Sequence, residues 1–203
     1  MVRGLFRVAE QETVLGVLEQ SVVFVTEATI EGLIRSVTFD STAWHLANLY
    51  LASASAELLG PDAPNIVGLS EDTTCYVSTA FEANDPSADI VVHEAAHVFH
   101  NCKRARVGLP WTRRREWLLE IEYRERETFA YACEAYSMIL ATARSAADRR
   151  ALGAEFGTSF AVADDAVEAS KVVEVVSEAV EARNGWKVIH AHCAPPKRTG
   201  HQS

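Results

Sequence analysis

The sequence predicts one α+β domain with a small mixed sheet in its N-terminal half and a helical C-terminal half. Every segment that reads as a strand falls before residue 79, and the longer helical patterns dominate after it. Composition is ordinary for a globular protein, at 48% hydrophobic and 23% charged residues, with no repeat or low-complexity stretch. At 203 residues the chain fits a single domain able to bury a core without disulfide support. That domain is expected over residues 1–193, with residues 194–203 as a polar, mobile tail.

In chain order, residues 10–20 read as a short helix, and residues 21–26 and 36–39 as strands. Residues 41–59 read as a helix with Ser41 as its cap, closed by a turn over residues 60–65, Gly-Pro-Asp-Ala-Pro-Asn. Residues 66–69 and 73–78 are further strands. Asp85 as cap and Pro86 at the first helical position open the next helix, through residues 88–102. Another helix is expected around residues 124–143. Residues 145–150 and a glycine-containing stretch then lead to a long helix over 164–183, with valines at 167, 172, 173, 175, 176 and 180 along one side; their β-branching keeps a strand alternative open.

The chemistry concentrates in His93-Glu94-Ala95-Ala96-His97. On a helix, residues four apart share a face, so both imidazoles reach one ion, and Glu94 lies beside it where a carboxylate takes a proton from water. Between Asp89 and Asn101 the only polar residues are His93, Glu94, His97 and His100, which marks a helix buried on nearly every side. Two histidines at this spacing also occur as core or surface residues. Burial favours the metal, because ionisable groups in a low-dielectric interior need partners.

A catalytic zinc site takes three protein ligands and leaves a fourth position open. His100 does not qualify, because seven residues of helix separate it from His93 by about 10 Å; it is expected to support a ligand or to fill the core. The longer pattern H-E-x-x-H-x-x-G-x-x-H is excluded, since His100 and Lys103 stand where glycine and histidine are required.

The run from Arg124 to Tyr136 carries Glu127-Thr128-Phe129-Ala130-Tyr131-Ala132. With the first motif it resembles the gluzincin group of zincin-type metallopeptidases, whose second helix often places a glutamate ligand in a Glu-x-Phe-Ala-x-Ala-like context. The resemblance covers about residues 85–143. It implies a zincin-like domain with Glu127 as third ligand; Glu134, seven residues on, is the competing ligand or a partner that orients a histidine. Glu120 is a third choice, and Glu122 and Glu125 read as solvated. Tyr123 and Tyr131, four residues either side of Glu127, are candidates to stabilise an oxyanion, whereas Tyr136 falls on an apolar stripe. In zincin-type peptidases the strand beside the site pairs with an extended substrate, and residues 73–78 are similar in position.

A net charge of −9 argues against general nucleic-acid binding. Lys103, Arg104, Arg106, Arg113, Arg114 and Arg115 form a local exception around Gly108 and Pro110: either they complement the carbonyl end of the metal helix, or they form a rim for an anionic substrate or acidic partner. Cys75, Cys102, Cys133 and Cys193 lack C-x-x-C spacing and read as reduced structural thiols. His190 and His192 read as incidental. No apolar run spans a membrane and the start does not read as a signal peptide, so a cytoplasmic protein is expected.

These observations lead to a zinc-dependent hydrolase, with Zn2+ held by His93, His97 and Glu127 (or Glu134) and Glu94 as general base, acting on a peptide or protein substrate. The alternatives are zinc chemistry on an anionic small molecule, and a zincin-like scaffold kept for binding alone.

Overall fold

The computed structural model of the chain describes residues 1–63, 66, 68–71, 73–78, 89–161 and 167–196. Its order is α1 (Val2–Leu5), α2 (Val8–Ser21), β1 (Val22–Val25), α3 (Ile30–Ser36), α4 (Asp40–Ser53), β2 (Gly68–Glu71), β3 (Thr74–Ser78), α5 (Ile90–Asn101), α6 (Arg126–Thr142), α7 (Ala146–Ser159), α8 (Ala169–Glu181) and α9 (Gly185–Cys193), with short 3-10 turns at Arg104–Val107 and Tyr123–Glu125. The α+β class holds, with the small sheet in the N-terminal half. No helix among the described residues is long and apolar enough to cross a membrane.

The sheet is mixed, in the order β1-β3-β2. β1 runs parallel to β3 with Val22 opposite Cys75, and β2 runs antiparallel with Gly68 opposite Val77. The strand expected over residues 73–78 is therefore the central one, and its backbone is taken up on both sides. It has no free edge to offer a peptide, which corrects that expectation; the strand beside α5 with an open side among the described residues is β2. Successive residues of β3 serve opposite faces, as the pleat requires. Cys75 joins the main core of α1, α2, α5, α6, α8 and α9, while Tyr76 joins a smaller cluster with Val25, Leu46 and Leu49 beneath α4.

The strand expected at residues 36–39 does not form, because Ser36 ends α3 and residues 37–39 only link α3 to α4. After β1 the Thr29 hydroxyl accepts from the Thr26 amide at 2.9 Å and donates to the Phe24 carbonyl at 2.8 Å, turning the chain into a helix. Val37 and Phe39 keep extended backbone, but α4 starts directly behind them, with Phe39 and not Ser41 at the cap position. α4 also stops short of residue 59: Asn48, buried inside it, accepts the Leu59 amide at 2.7 Å and folds the following segment back. α7, capped by Ser145, and α9 were not expected from the sequence. The valine-rich helix forms as α8, burying Val172, Val175, Val176 and Val180. Asp85, Pro86, Pro64, Asn65 and tail residues 197–203 lie outside the described residues.

After α5 the chain doubles back along that helix. Leu118 donates to the Cys102 carbonyl at 2.9 Å and Leu119 to the Phe99 carbonyl at 2.8 Å, which brings α6 alongside α5. The doubling is pinned by Arg104, 0% exposed, whose Nη2 meets Glu10 Oε1 on α2 at 2.5 Å and whose Nε donates to the Pro110 carbonyl at 2.6 Å. Arg115 reaches the other oxygen of Glu10 at 3.0 Å, and Lys103 pairs with Glu116 at 2.7 Å. Half of the basic cluster is thus spent on holding the loop, leaving Arg106, Arg113 and Arg114 exposed.

Removing Glu10 would leave Arg104 buried and uncompensated. Glu10→Ala is expected to lower unfolding stability by about 3–5 kcal/mol, the usual cost of breaking a buried pair, as measured by chemical denaturation.

Candidate metal centre

α5 begins at Asp89, whose carboxylate accepts from the Val92 amide at 3.1 Å. This is the cap, four residues beyond the position expected from the sequence. Ser137 of α6 donates to the other Asp89 oxygen at 3.3 Å. His93, Glu94, His97 and His100 are all buried, in agreement with an all-round apolar helix.

Two turns of α5 and the first turn of α6 bring three donors together. His93 Nε2 lies 3.7 Å from Glu127 Oε2, His97 Nε2 lies 3.5 Å from the same oxygen, and the ligand atoms of all three residues fall within 4.8 Å of one another. An ion with zinc's bond lengths in tetrahedral geometry spaces its donors about 3.3–3.6 Å apart. The two contacts to Glu127 lie close to that spacing, and the three residues could hold a metal ion.

Glu134 occupies a different position. Its Oε2 meets the far ring nitrogen of His93, Nδ1, at 3.0 Å, and its Oε1 accepts the Asp89 amide at 3.2 Å. With both oxygens engaged it orients His93 and ties α6 to the start of α5. Of the two glutamates offered by the sequence, Glu127 faces the convergent nitrogens and Glu134 stands behind one of them. Glu120 is elsewhere, accepting the Glu116 and Trp117 amides at 2.5 and 2.9 Å.

Burial pushes the His93 pKa down, but the carboxylates of Glu127, Glu134 and Glu94 outweigh it and leave the group at about 9. Burial pushes Glu127 up, and its contacts with His93 and His97 hold it well below the ordinary carboxylate range. Without a metal the cluster is therefore closed by a proton on His93. His100 goes the other way: burial first, then the neighbouring His97 ring and the Arg126 guanidinium, bring it down to about 3.

Glu94 lies on the sheet side of α5. Ser70 of β2 donates to its Oε2 at 2.5 Å, and Cys75 of β3 donates to its backbone carbonyl at 3.1 Å. Gly68, also on β2, lies so close that a Cβ there would fall on the Glu94 carboxylate. Ser70 and Gly68 were not identified from the sequence, where nothing in their spacing links them to a helix some 24 residues away. The carboxylate is seated between the histidine helix and the edge strand.

The tyrosines divide. Tyr131 packs edge-on against His93 with ring centroids 4.6 Å apart and forms one wall of the cluster. Tyr123 is 75% exposed in the 3-10 turn before α6, with the Arg126 guanidinium 5.0 Å from its ring. Because α6 starts only at Arg126, Tyr123 does not share the Glu127 face, contrary to the helical spacing assumed for it. Tyr136 is core, against Trp186. His192 pairs with Glu178, and His190 meets the Glu120 backbone. The four cysteines are free and buried.

A zinc ligand must be a neutral imidazole, so metal and proton compete for His93. Apparent zinc affinity is expected to rise about tenfold per pH unit below the His93 pKa of about 9 and to level off above it. Calorimetric titrations in buffers of different ionisation heat would show the matching proton release. Comparison with family models, with curated proteins and with solved structures finds no match to this chain.

Proposed function

We propose that the chain is a zinc-dependent hydrolase with a zincin-like domain, acting on peptide bonds. The observation that carries this reading is the convergence of His93 Nε2, His97 Nε2 and Glu127 Oε2 at zinc-like spacing on α5 and α6, with a buried carboxylate, Glu94, adjacent in sequence to the first histidine. A structural metal site has no use for that carboxylate.

Zinc bound by these three residues supplies Lewis acidity to a carbonyl and makes water a stronger acid. The protein's own groups do the rest. Glu94 takes a proton from the attacking water and passes it to the leaving amine, and Ser70 keeps its carboxylate aimed while the turnover proceeds. Glu134 holds the His93 ring so that Nε2 faces the donor cluster. Tyr131 covers the His93 ring and keeps water from it.

A peptide is favoured as substrate because β2, the edge strand among the described residues, carries the two residues that seat the base. An extended chain laid along that edge gains backbone hydrogen bonds and passes close to Glu94. For the anionic small-molecule alternative, Arg104, Arg115 and Lys103 are committed to internal ion pairs, which leaves Arg106, Arg113 and Arg114 of the basic cluster exposed to meet an anion.

Protein purified without chelator is expected to carry about one zinc per chain, as in three-ligand catalytic sites, and Glu127→Ala to lose it or bind it far more weakly. Glu94→Gln should keep the metal and lose hydrolysis of a fluorogenic peptide library by about 10²–10⁴-fold, the usual contribution of a general base. Undiminished hydrolysis by Glu94→Gln would overturn the mechanism; absence of zinc in the natural chain would overturn the reading as a whole.

A further inference from the structure

His97 is backed by a second histidine where His93 is backed by a carboxylate. His97 Nδ1 lies 3.0 Å from His100 Nε2, and His100 Nδ1 lies 3.1 Å from Asn101 Oδ1. The two rings stand edge to face, 5.2 Å between centroids, one helical turn apart. All three residues belong to α5, so the arrangement is local to that helix.

A neutral imidazole has one N–H and one lone pair, so this row has a direction. The Asn101 oxygen only accepts, so His100 must carry its proton on Nδ1. His100 Nε2 is then a lone pair and can only accept, so His97 must carry its proton on Nδ1. That leaves the lone pair of His97 on Nε2, the atom facing Glu127. If the Asn101 amide were reversed, each step would invert, and an N–H would point into the donor cluster. We propose that Asn101 and His100 form a neutral hydrogen-bond relay that fixes His97 in its metal-binding tautomer, with His100 as a positioning residue. This rests on the zinc reading above and adds to it an assigned role for the third histidine of the helix.

The relay makes the two histidine ligands unequal. His93 leans on an anion, which strengthens it as a donor and draws a competing proton to it. His97 leans on a neutral ring, which orients it without adding charge. The pair thus combines one strongly basic ligand with one held mainly by geometry.

Two variants and one spectrum test this. His100→Leu removes the acceptor and keeps the bulk, and zinc affinity, measured against a chromophoric chelator, is expected to fall about 10–100-fold, as for other lost partners of a ligand histidine. His100→Gln places an amide oxygen near the lost Nε2 and should restore most of it, which a purely space-filling role would not produce. In the natural chain without metal, long-range ¹H–¹⁵N NMR should show His97 and His100 both protonated on Nδ1. Equal affinity in His100→Leu, or a His97 protonated on Nε2, would overturn the relay while leaving the zinc site intact. A natural chain that binds no zinc would overturn the zinc reading, and the His97 tautomer, which needs neither variant nor metal, then decides the relay by itself.

Discussion

A helix that buries four ionisable side chains in a row of apolar ones has to be answered by everything around it. Each of His93, Glu94, His97 and His100 would cost several kcal/mol if left without a polar partner in the interior. The structure answers each from a different direction: α6 supplies Glu127 and Glu134, β2 supplies Ser70, and α5 itself supplies the His100–Asn101 pair. The packing of α6 against α5 and the approach of the edge strand follow from this demand as much as from apolar burial.

The same demand gives the site its asymmetry. Carboxylates gather on the α6 side, against His93 and His97, and on the sheet side a neutral hydroxyl, Ser70, meets the Glu94 carboxylate. Glu94 accepts from the Ser70 hydroxyl, and the strand residue nearest it, Gly68, has no side chain to interfere. The division sets a face met by carboxylates against a face met by a hydroxyl within one turn of helix.

What was readable in the sequence is what repeats locally. Helical spacing puts His93 and His97 on one face, and seven residues put Glu134 on a face near that of Glu127, so the sequence leaves the choice between the two open; in the fold Glu127 faces both Nε2 atoms, while Glu134 meets His93 Nδ1 and the Asp89 amide. What was not readable depends on distant chain. The pairing of Ser70 with Glu94 and the central place of β3 are set by sheet order, which no local pattern encodes. α3 was missed because its start depends on the Thr29 hydroxyl bridging back to Thr26 and Phe24 at the end of β1, a tertiary detail that the short run over residues 30–36 does not signal. α7 was hidden by Gly153 and Gly157, which look like helix breakers but let Val180 and Val173 of α8 approach closely.

The link between Glu10 and the arginines after α5 has a consequence for how the molecule comes into being. Its partners are 94 and 105 residues apart in sequence, and the parallel pairing of Val22 with Cys75 is another distant closure. Contacts of such range form slowly, because the entropy of closing the loop is lost before the contact gives anything back. The return segment that carries Glu127 toward the histidines therefore sets in its final place only once α2 has docked. During synthesis the amino end waits, already made, for a segment that emerges about a hundred residues later, and a fragment that begins after α2 would carry His93, His97 and Glu127 yet lack the clamp that holds the loop between them.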